Sequence, residues 1–279
     1  MSVLRIYQNP IALNSLRNLQ ITGSSISKSL ERLSSGLRIN RAADDAAGLA
    51  ISESLKSDIR ALDVAVRNAG DGISLVQTAE GALDEVSSML IRMRELATQA
   101  RNGTVTAQQR TYLDAEFQTL AEEITRIGQS TDFNGVQLLD GSSGTLNIQV
   151  GIGTTVTDGI GVDLSTSFTA AGLGLAGVNI ADDPDTAATD PLTALADALD
   201  RLNAGRASLG AIQNRLESSI RVNMNLSENL TAANSRIRDV DVASETSRMT
   251  SYQILQQAGI SILSQANMTP ALAMNLLGG

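Results

Sequence analysis

The chain has 279 residues, a net charge of −9, three Phe, three Tyr and no Trp, Cys or His. Without thiols and imidazoles there are no disulfides, thiolate nucleophiles or imidazole bases, and the usual zinc ligands are missing. At 2% of residues, aromatic rings are too scarce to anchor a broad globular core. Ala, Leu, Ile, Ser and Asn must do the packing, which suits thin, closely spaced helices.

Charge is unevenly spread. Residues 1–41 carry Arg5, Arg17, Lys28, Arg32, Arg38 and Arg41 against Glu31 alone, a local +5 in an acidic chain. A solvated basic helix face accounts for this. Nucleic acid is not expected as a partner, because the segment holds one aromatic residue and the rest of the chain repels phosphate. No apolar run approaches the ~20 residues that span a membrane, so membrane insertion is not expected. The first residues lack an apolar h-region and a small-residue cleavage site, so a cleaved signal peptide is not expected either.

The N-terminal segment carries a stripe of Leu13, Leu16, Leu19, Ile26, Leu30, Leu33 and Leu37. From 44 to about 101 the apolar residues recur at alternating steps of three and four, from Leu55, Ile59 and Leu62 to Met93, Ala97 and Ala100. Held for about six heptads, this seam predicts a coiled-coil helix roughly 85 Å long. Asp44 and Asp45 stand where an N-cap and a first-turn carboxylate belong. Gly70, Gly72 and Gly81 weaken the helix and are explained by close approach of a neighbour or by a bend.

Asn102-Gly103 ends this helix, and Thr106 with Gln109 reads as a capping box opening a second one. Its stripe is Leu113, Phe117, Leu120, Ile124 and Ile127. The short connection makes the two antiparallel. Between 136 and 180 the period drops to two, in Thr145–Val150 and Ile160–Leu164, which predicts a small β-hairpin region. Residues 181–190 read as an exposed polar loop. Helical periodicity returns from Leu192 to Ile237, through Leu195, Leu202, Leu209, Leu216 and Leu226. Residues 245–277 carry a last stripe of Met249, Tyr252, Leu255, Gly259, Ile262, Ala266, Leu272 and Leu276.

The fold class expected is mainly α: a long antiparallel helical rod with a small β-hairpin region. The two end stripes have no partner in the rod and are natural partners for each other. So small a pair buries little surface, and we expect neighbouring copies to order it.

Five segments resemble one family. Leu33-Ser-Ser-Gly-Leu-Arg-Ile-Asn-Arg-Ala-Ala-Asp-Asp-Ala-Ala-Gly-Leu-Ala-Ile-Ser52 resembles the N-terminal signature of bacterial flagellins. Arg94-Glu-Leu-Ala97, Asp132-Phe-Asn-Gly-Val136, Leu209-Gly-Ala-Ile-Gln-Asn-Arg215 and Gln253-Ile-Leu-Gln-Gln-Ala258, the last followed by Gln265-Ala-Asn267, are similar to the same family in the same order. The resemblance implies a structural subunit that polymerises into the extracellular flagellar filament used for motility. It implies an inner domain of residues 1–43 and 239–279 and a rod of residues 44–238, without the outer domains that larger flagellins insert.

Assembly would bury the terminal stripes, with Leu13, Leu16, Leu30, Leu33, Leu37, Leu255, Ile262, Leu272 and Leu276 as the self-assembly residues. The partners implied are other copies of the chain, the export apparatus and an export chaperone, and the filament cap and junction proteins. Export in an unfolded state and addition at the distal tip follow from the same resemblance. Some flagellins are detected by a Toll-like innate immune receptor, and the matching positions are Arg92, Leu96, Gln99, Glu116 and Leu195.

Two other readings compete. A flagellin-like hook–filament junction protein would match the ends less fully. A non-polymerising coiled-coil scaffold explains residues 44–237 but neither the end stripes nor the hairpin. No enzyme and no cofactor are expected. The paired carboxylates Asp44/Asp45 and Glu122/Glu123 are adjacent on helices, point about 100° apart and cannot share a proton. An HExxH zinc site is impossible without His.

Overall fold

The computed structural model describes residues 9–181 and 190–277, and of Val156 and residues 269–277 the backbone alone. Its elements, in order, are α1 (Pro10–Ser35), α2 (Ala46–Ala100), α3 (Ala107–Ser130), β1 (Asp132–Phe133), β2 (Val136–Gln137), β3 (Thr145–Gln149), β4 (Gly159–Asp163), α4 (Pro191–Arg238) and α5 (Val242–Leu277). The fold is mainly helical, as the periodicity predicts. The loop expected at 181–190 lies, apart from its two ends, outside the described residues.

Side-chain caps set the helix starts. Asn9 accepts from Ala12 N–H at 3.1 Å, with Pro10 in the first turn. The Thr106–Gln109 capping box forms as read. Asp190 Oδ1 accepts from Leu192 N–H and Asp241 Oδ1 from Ala243 N–H, each at 3.0 Å. At α2 the two carboxylates divide their work differently from the expectation. Asp45 alone is the cap, accepting from Gly48 N–H at 2.9 Å. Asp44 faces away to Lys28, 2.5 Å distant.

The chain divides into two compact units, residues 58–228 and residues 1–57 with 229–279. The dividing points fall inside α2 and α4, and Glu53 binds Arg238 within the second of these units.

In unit 58–228, α2, α3 and α4 enclose one apolar core. Val76, Ala79, Leu83, Val86, Leu90 and Met93 of α2 are fully buried, with Phe117 and Ile124 of α3 and Leu195, Leu202 and Leu216 of α4. α2 and α4 run antiparallel: Gly72 lies by Leu216, Glu80 and Asp84 by Arg206, and Arg101 by Asp190. β3 and β4 pair antiparallel, Ile148 opposite Ile160. Ile148 Cδ1 sits 2.5 Å from where a Cβ on Gly72 would be. Gly72 therefore marks a close approach, while nothing lies within 4 Å of a Cβ at Gly70 or Gly81. Leu226, placed on the α4 stripe by period, is exposed. Asn223 is buried there instead and donates to the Val150 carbonyl at 2.7 Å.

A second, smaller hairpin turns on Asn134-Gly135, with φ of +53° and +81°. Positive φ at both positions is the backbone of the tight type I′ turn. Phe133 and Val136 pair across it.

Candidate assembly surface

The unit that holds both chain ends is built on α1 packed against α5. Along α5 the residues turned to α1 are Glu245, Met249, Tyr252, Gln256, Gly259, Leu263 and Ala266, buried or half-buried at strict steps of four and three. This heptad differs from the stripe read in the sequence at two positions. Gln256 and Leu263 take the seam, and Leu255 and Ile262 fall on its flank. The α1 side presents Ala12, Ser15, Leu19, Thr22, Ile26, Ser29 and Leu33. Small and hydroxylated residues dominate, so the helices approach closely but bury little apolar area.

Polar contacts fix the register. Asn9 donates to the Ala266 carbonyl at 2.7 Å, at one end of the pair. At the other, Ser29 donates to Glu245 Oε1 at 2.6 Å, inside the seam. Arg32 and Arg248 flank the same carboxylate at 3.6 and 3.9 Å. Between these points Leu19 packs over Gly259. The period alone hid this polar node, since Glu245 occupies a stripe position that an apolar residue would be expected to fill.

Gly36, at φ +72°, ends α1. The strands of chain that follow α1 and α4 are then tied together. Arg38 N–H donates to the Arg238 carbonyl at 2.6 Å, Val240 N–H to the Gly36 carbonyl at 3.0 Å, and the Arg38 guanidinium to the Ile237 carbonyl. The hydrogen bond from the Lys28 ammonium holds the Asp44 carboxyl below its usual range, against the opposing effect of burial, with help from the N–H groups of Arg41 and Asn40.

Of the residues expected to drive assembly, Leu13, Leu16, Leu30, Leu255 and Ile262 keep 60, 46, 52, 57 and 55% of their surface exposed after α1 and α5 have paired. Leu33 and Leu37 are half-buried. The side chains of Leu272 and Leu276 lie outside the described residues. Ile21, Ile254 and Ile260, not singled out by the stripes, are also more than half exposed. Ile21, Leu255 and Ile262 rim a cleft of about 340 Å³ whose floor is Leu19 and Gly259.

The five positions matched to receptor recognition do not form one surface. Leu96 and Leu195 are 1% and 0% exposed, in the core of unit 58–228. Their side chains have no surface to offer a partner. Arg92, Gln99 and Glu116 are exposed, and Arg92 is paired with Glu116 at 2.8 Å and with Glu95 at 2.9 Å. Hydrogen bonds to these two carboxylates push the Arg92 guanidinium further up in pKa.

No helix among the described residues is long and apolar enough to cross a membrane, and no cluster of acidic residues there could hold a metal ion. Residues 6–144 match the bacterial flagellin N-terminal helical region and residues 192–277 the bacterial flagellin C-terminal helical region. The chain is 50% identical to a flagellin of Halalkalibacterium halodurans, covering 98% of this chain and 99% of that one. It is 42% identical to a flagellin of Bacillus subtilis, covering 98% and 100%. A putative flagellar hook-associated protein from Vibrio parahaemolyticus shares the fold, with a TM-score of 0.57 at 17% identity over 70% of this chain and 100% of that one. The chain belongs to the bacterial flagellins: it is a structural subunit of the extracellular flagellar filament, and not an enzyme.

Proposed function

We propose that the α1–α5 pair is the part of the subunit by which copies hold one another in the filament core, with residues 1–43 and 239–279 as the inner layer and 44–238 as the rod. One observation supports this above the others: Leu13, Leu16, Leu30, Leu255 and Ile262 are still exposed when the two helices have paired. Burying such side chains is worth about 1.5–3 kcal/mol each when complete, which a soluble monomer forgoes and a polymer gains. Leu33, Leu37, Leu272 and Leu276 belong to the same stripes and are assigned the same role.

The chain reaches the growing tip unfolded, through the export apparatus and with an export chaperone. It adds beneath the filament cap, and junction proteins join the filament at its base. Lack of cysteine and scarcity of large rings suit such passage, and so does a terminal pair held by a small-residue seam. On the rod, Arg92, Gln99 and Glu116 are the groups that a Toll-like receptor would meet. A reporter cell silent to purified monomer would dismiss that contact.

The test is deletion of residues 10–30 or 250–277 with filaments scored by electron microscopy. Loss of filaments with the helix content of unit 58–228 retained is the expected result. Normal filaments after either deletion would overturn the assignment.

A further inference from the structure

Asparagine followed by glycine occurs twice in the chain, at Asn102-Gly103 between α2 and α3 and at Asn134-Gly135 in the β1–β2 turn. Both pairs are exposed. Such a pair can modify itself. The glycine nitrogen attacks the side-chain carbonyl carbon of the asparagine, a C–N bond forms, and the amide nitrogen leaves as ammonia. Water then opens the five-membered imide at either carbonyl, giving aspartate or isoaspartate. Glycine favours the attack because no Cβ stands beside the nitrogen. Sequence treats the two pairs alike, and the fold separates them.

Attack requires the glycine nitrogen to give up its proton. Gly135 N–H donates to Asp132 Oδ2 at 3.1 Å. A carboxylate so placed opposes a second negative charge, so this nitrogen keeps its proton. Asn134 and Gly135 are also held in a type I′ turn, with φ of +53° and +81°, by the pairing of Phe133 with Val136. Closing the imide would twist the Asn134 backbone out of that turn and break the pair.

The first pair has neither restraint. Gly103 N–H donates to no acceptor among the described residues. Thr104 N–H donates to Asn102 Oδ1 at 3.2 Å. The ring closed by this hydrogen bond contains the Gly103 nitrogen, so nucleophile and target carbon share one short loop. As the nitrogen adds, Oδ1 takes up negative charge, and a donor already aimed at it stabilises that charge. A single main-chain bond, from Val105 N–H to the Asn102 carbonyl at 3.0 Å, spans the turn.

We infer that Asn102 is a self-modification site, converting to aspartate and isoaspartate as the subunit ages, while the fold protects Asn134. The product sets a new carboxylate just beyond Ala100, the last residue of α2, where a helix end disfavours negative charge. It also stands next to Arg101, which is paired with Asp190 at 3.2 Å. Isoaspartate adds one carbon to the main chain between α2 and α3. The aged subunit therefore carries one more negative charge and a longer α2–α3 connection.

The experiment incubates the full-length protein at neutral and mildly alkaline pH, folded and in urea, and follows both sites by peptide mass spectrometry. An isoaspartyl methyltransferase with a labelled methyl donor reports the isoaspartate at each. In the folded protein Asn102 should convert about tenfold faster than Asn134, a barrier difference of about 1.4 kcal/mol, and faster still at the higher pH. In urea the two rates should converge, because the contacts from Asp132 and Thr104 are gone. Gly103→Ala tests the nucleophile. Its Cβ would meet nothing within 4 Å and the position needs no positive φ, so the variant should keep wild-type helix content and slow Asn102 conversion about tenfold. Equal rates at the two sites in the folded protein, or a difference that persists in urea, would overturn the inference. So would a Gly103→Ala variant that converts as fast as wild type.

Discussion

Leu19 covers the α-carbon of Gly259: a Cβ added to that glycine would stand 2.9 Å from Leu19 Cδ2. The contact joins residues 240 positions apart and sets how near α1 and α5 can come. A leucine tip can swing aside, so Gly259→Ala should be nearly neutral, its gain of about 1 kcal/mol in helix propensity offsetting the shift. Gly259→Leu cannot be accommodated that way. It should open the pair and expose α1 to limited proteolysis, with cleavage within Pro10–Ser35 as the readout.

Phe168 occupies the corresponding position against Gly205 of α4, where its Cζ meets the space of a Cβ. A rigid ring cannot turn away as a leucine tip can. Gly205→Ala should destabilise unit 58–228 by about 1–3 kcal/mol through overpacking, less what the helix gains. Phe168→Ala should cost about 3–5 kcal/mol through the cavity left. Urea midpoints of the two variants against wild type check both figures.

Asn223 is the buried polar side chain that holds β3 to α4 through the Val150 carbonyl. Asn223→Ala should leave that carbonyl without this donor and cost about 1–3 kcal/mol. Amide exchange along Thr145–Gln149 should accelerate in the variant. Unchanged protection there would show that the hairpin does not depend on this hydrogen bond.

Asp44 carries a pH dependence with a definite sign. Its carboxyl is held below the unfolded value by Lys28 first of all. The stabilisation is therefore complete above the ordinary carboxylate range, about pH 4, and is lost as pH falls through the depressed folded value. Asp44→Asn should weaken the Asn40–Asp44 turn at neutral pH and remove its share of the acid loss. Lys28→Met should return the Asp44 titration toward the ordinary range. Carboxyl NMR shifts followed through an acid titration measure both.

The Ser29–Glu245 node can be tested by substitution. Glu245→Ala removes the acceptor for Ser29 and the counter-ion of Arg32 in a seam position that is 5% exposed. Breaking a buried pair from one side is costly, about 3–5 kcal/mol in well-buried cases. The pair should lose helix content in the terminal unit while the urea midpoint of unit 58–228 stays put.

The sequence by itself determined a great deal of this protein. The heptad from Leu62 to Ala100 is buried as spaced except at Val66 and Ile73, which are half-buried, because a helix that repeats its apolar residues every three and four positions has one face to hide. The Thr106–Gln109 box and the Thr145–Gln149 strand are local, set by residues a few positions apart, and both appear where the pattern put them. The end stripes announced that α1 and α5 would pair, and five ordered motifs carried the family.

What the sequence left open was decided by neighbours distant along the chain. Leu255 and Gln256 are adjacent, and a stripe of apolar residues alone favours the leucine for the seam. Only the register set by Asn9 on Ala266 and Ser29 on Glu245 turns Gln256 inward and leaves Leu255 on the flank. Leu96 and Leu195 could have been surface or core until α2 and α4 were seen to close on each other. Gly72, Gly70 and Gly81 look alike in sequence, yet only Gly72 has Ile148 against it. Periodicity states which face of a helix is apolar; which part of that face is covered depends on the height and rotation of the partner, and those are set by tertiary contacts.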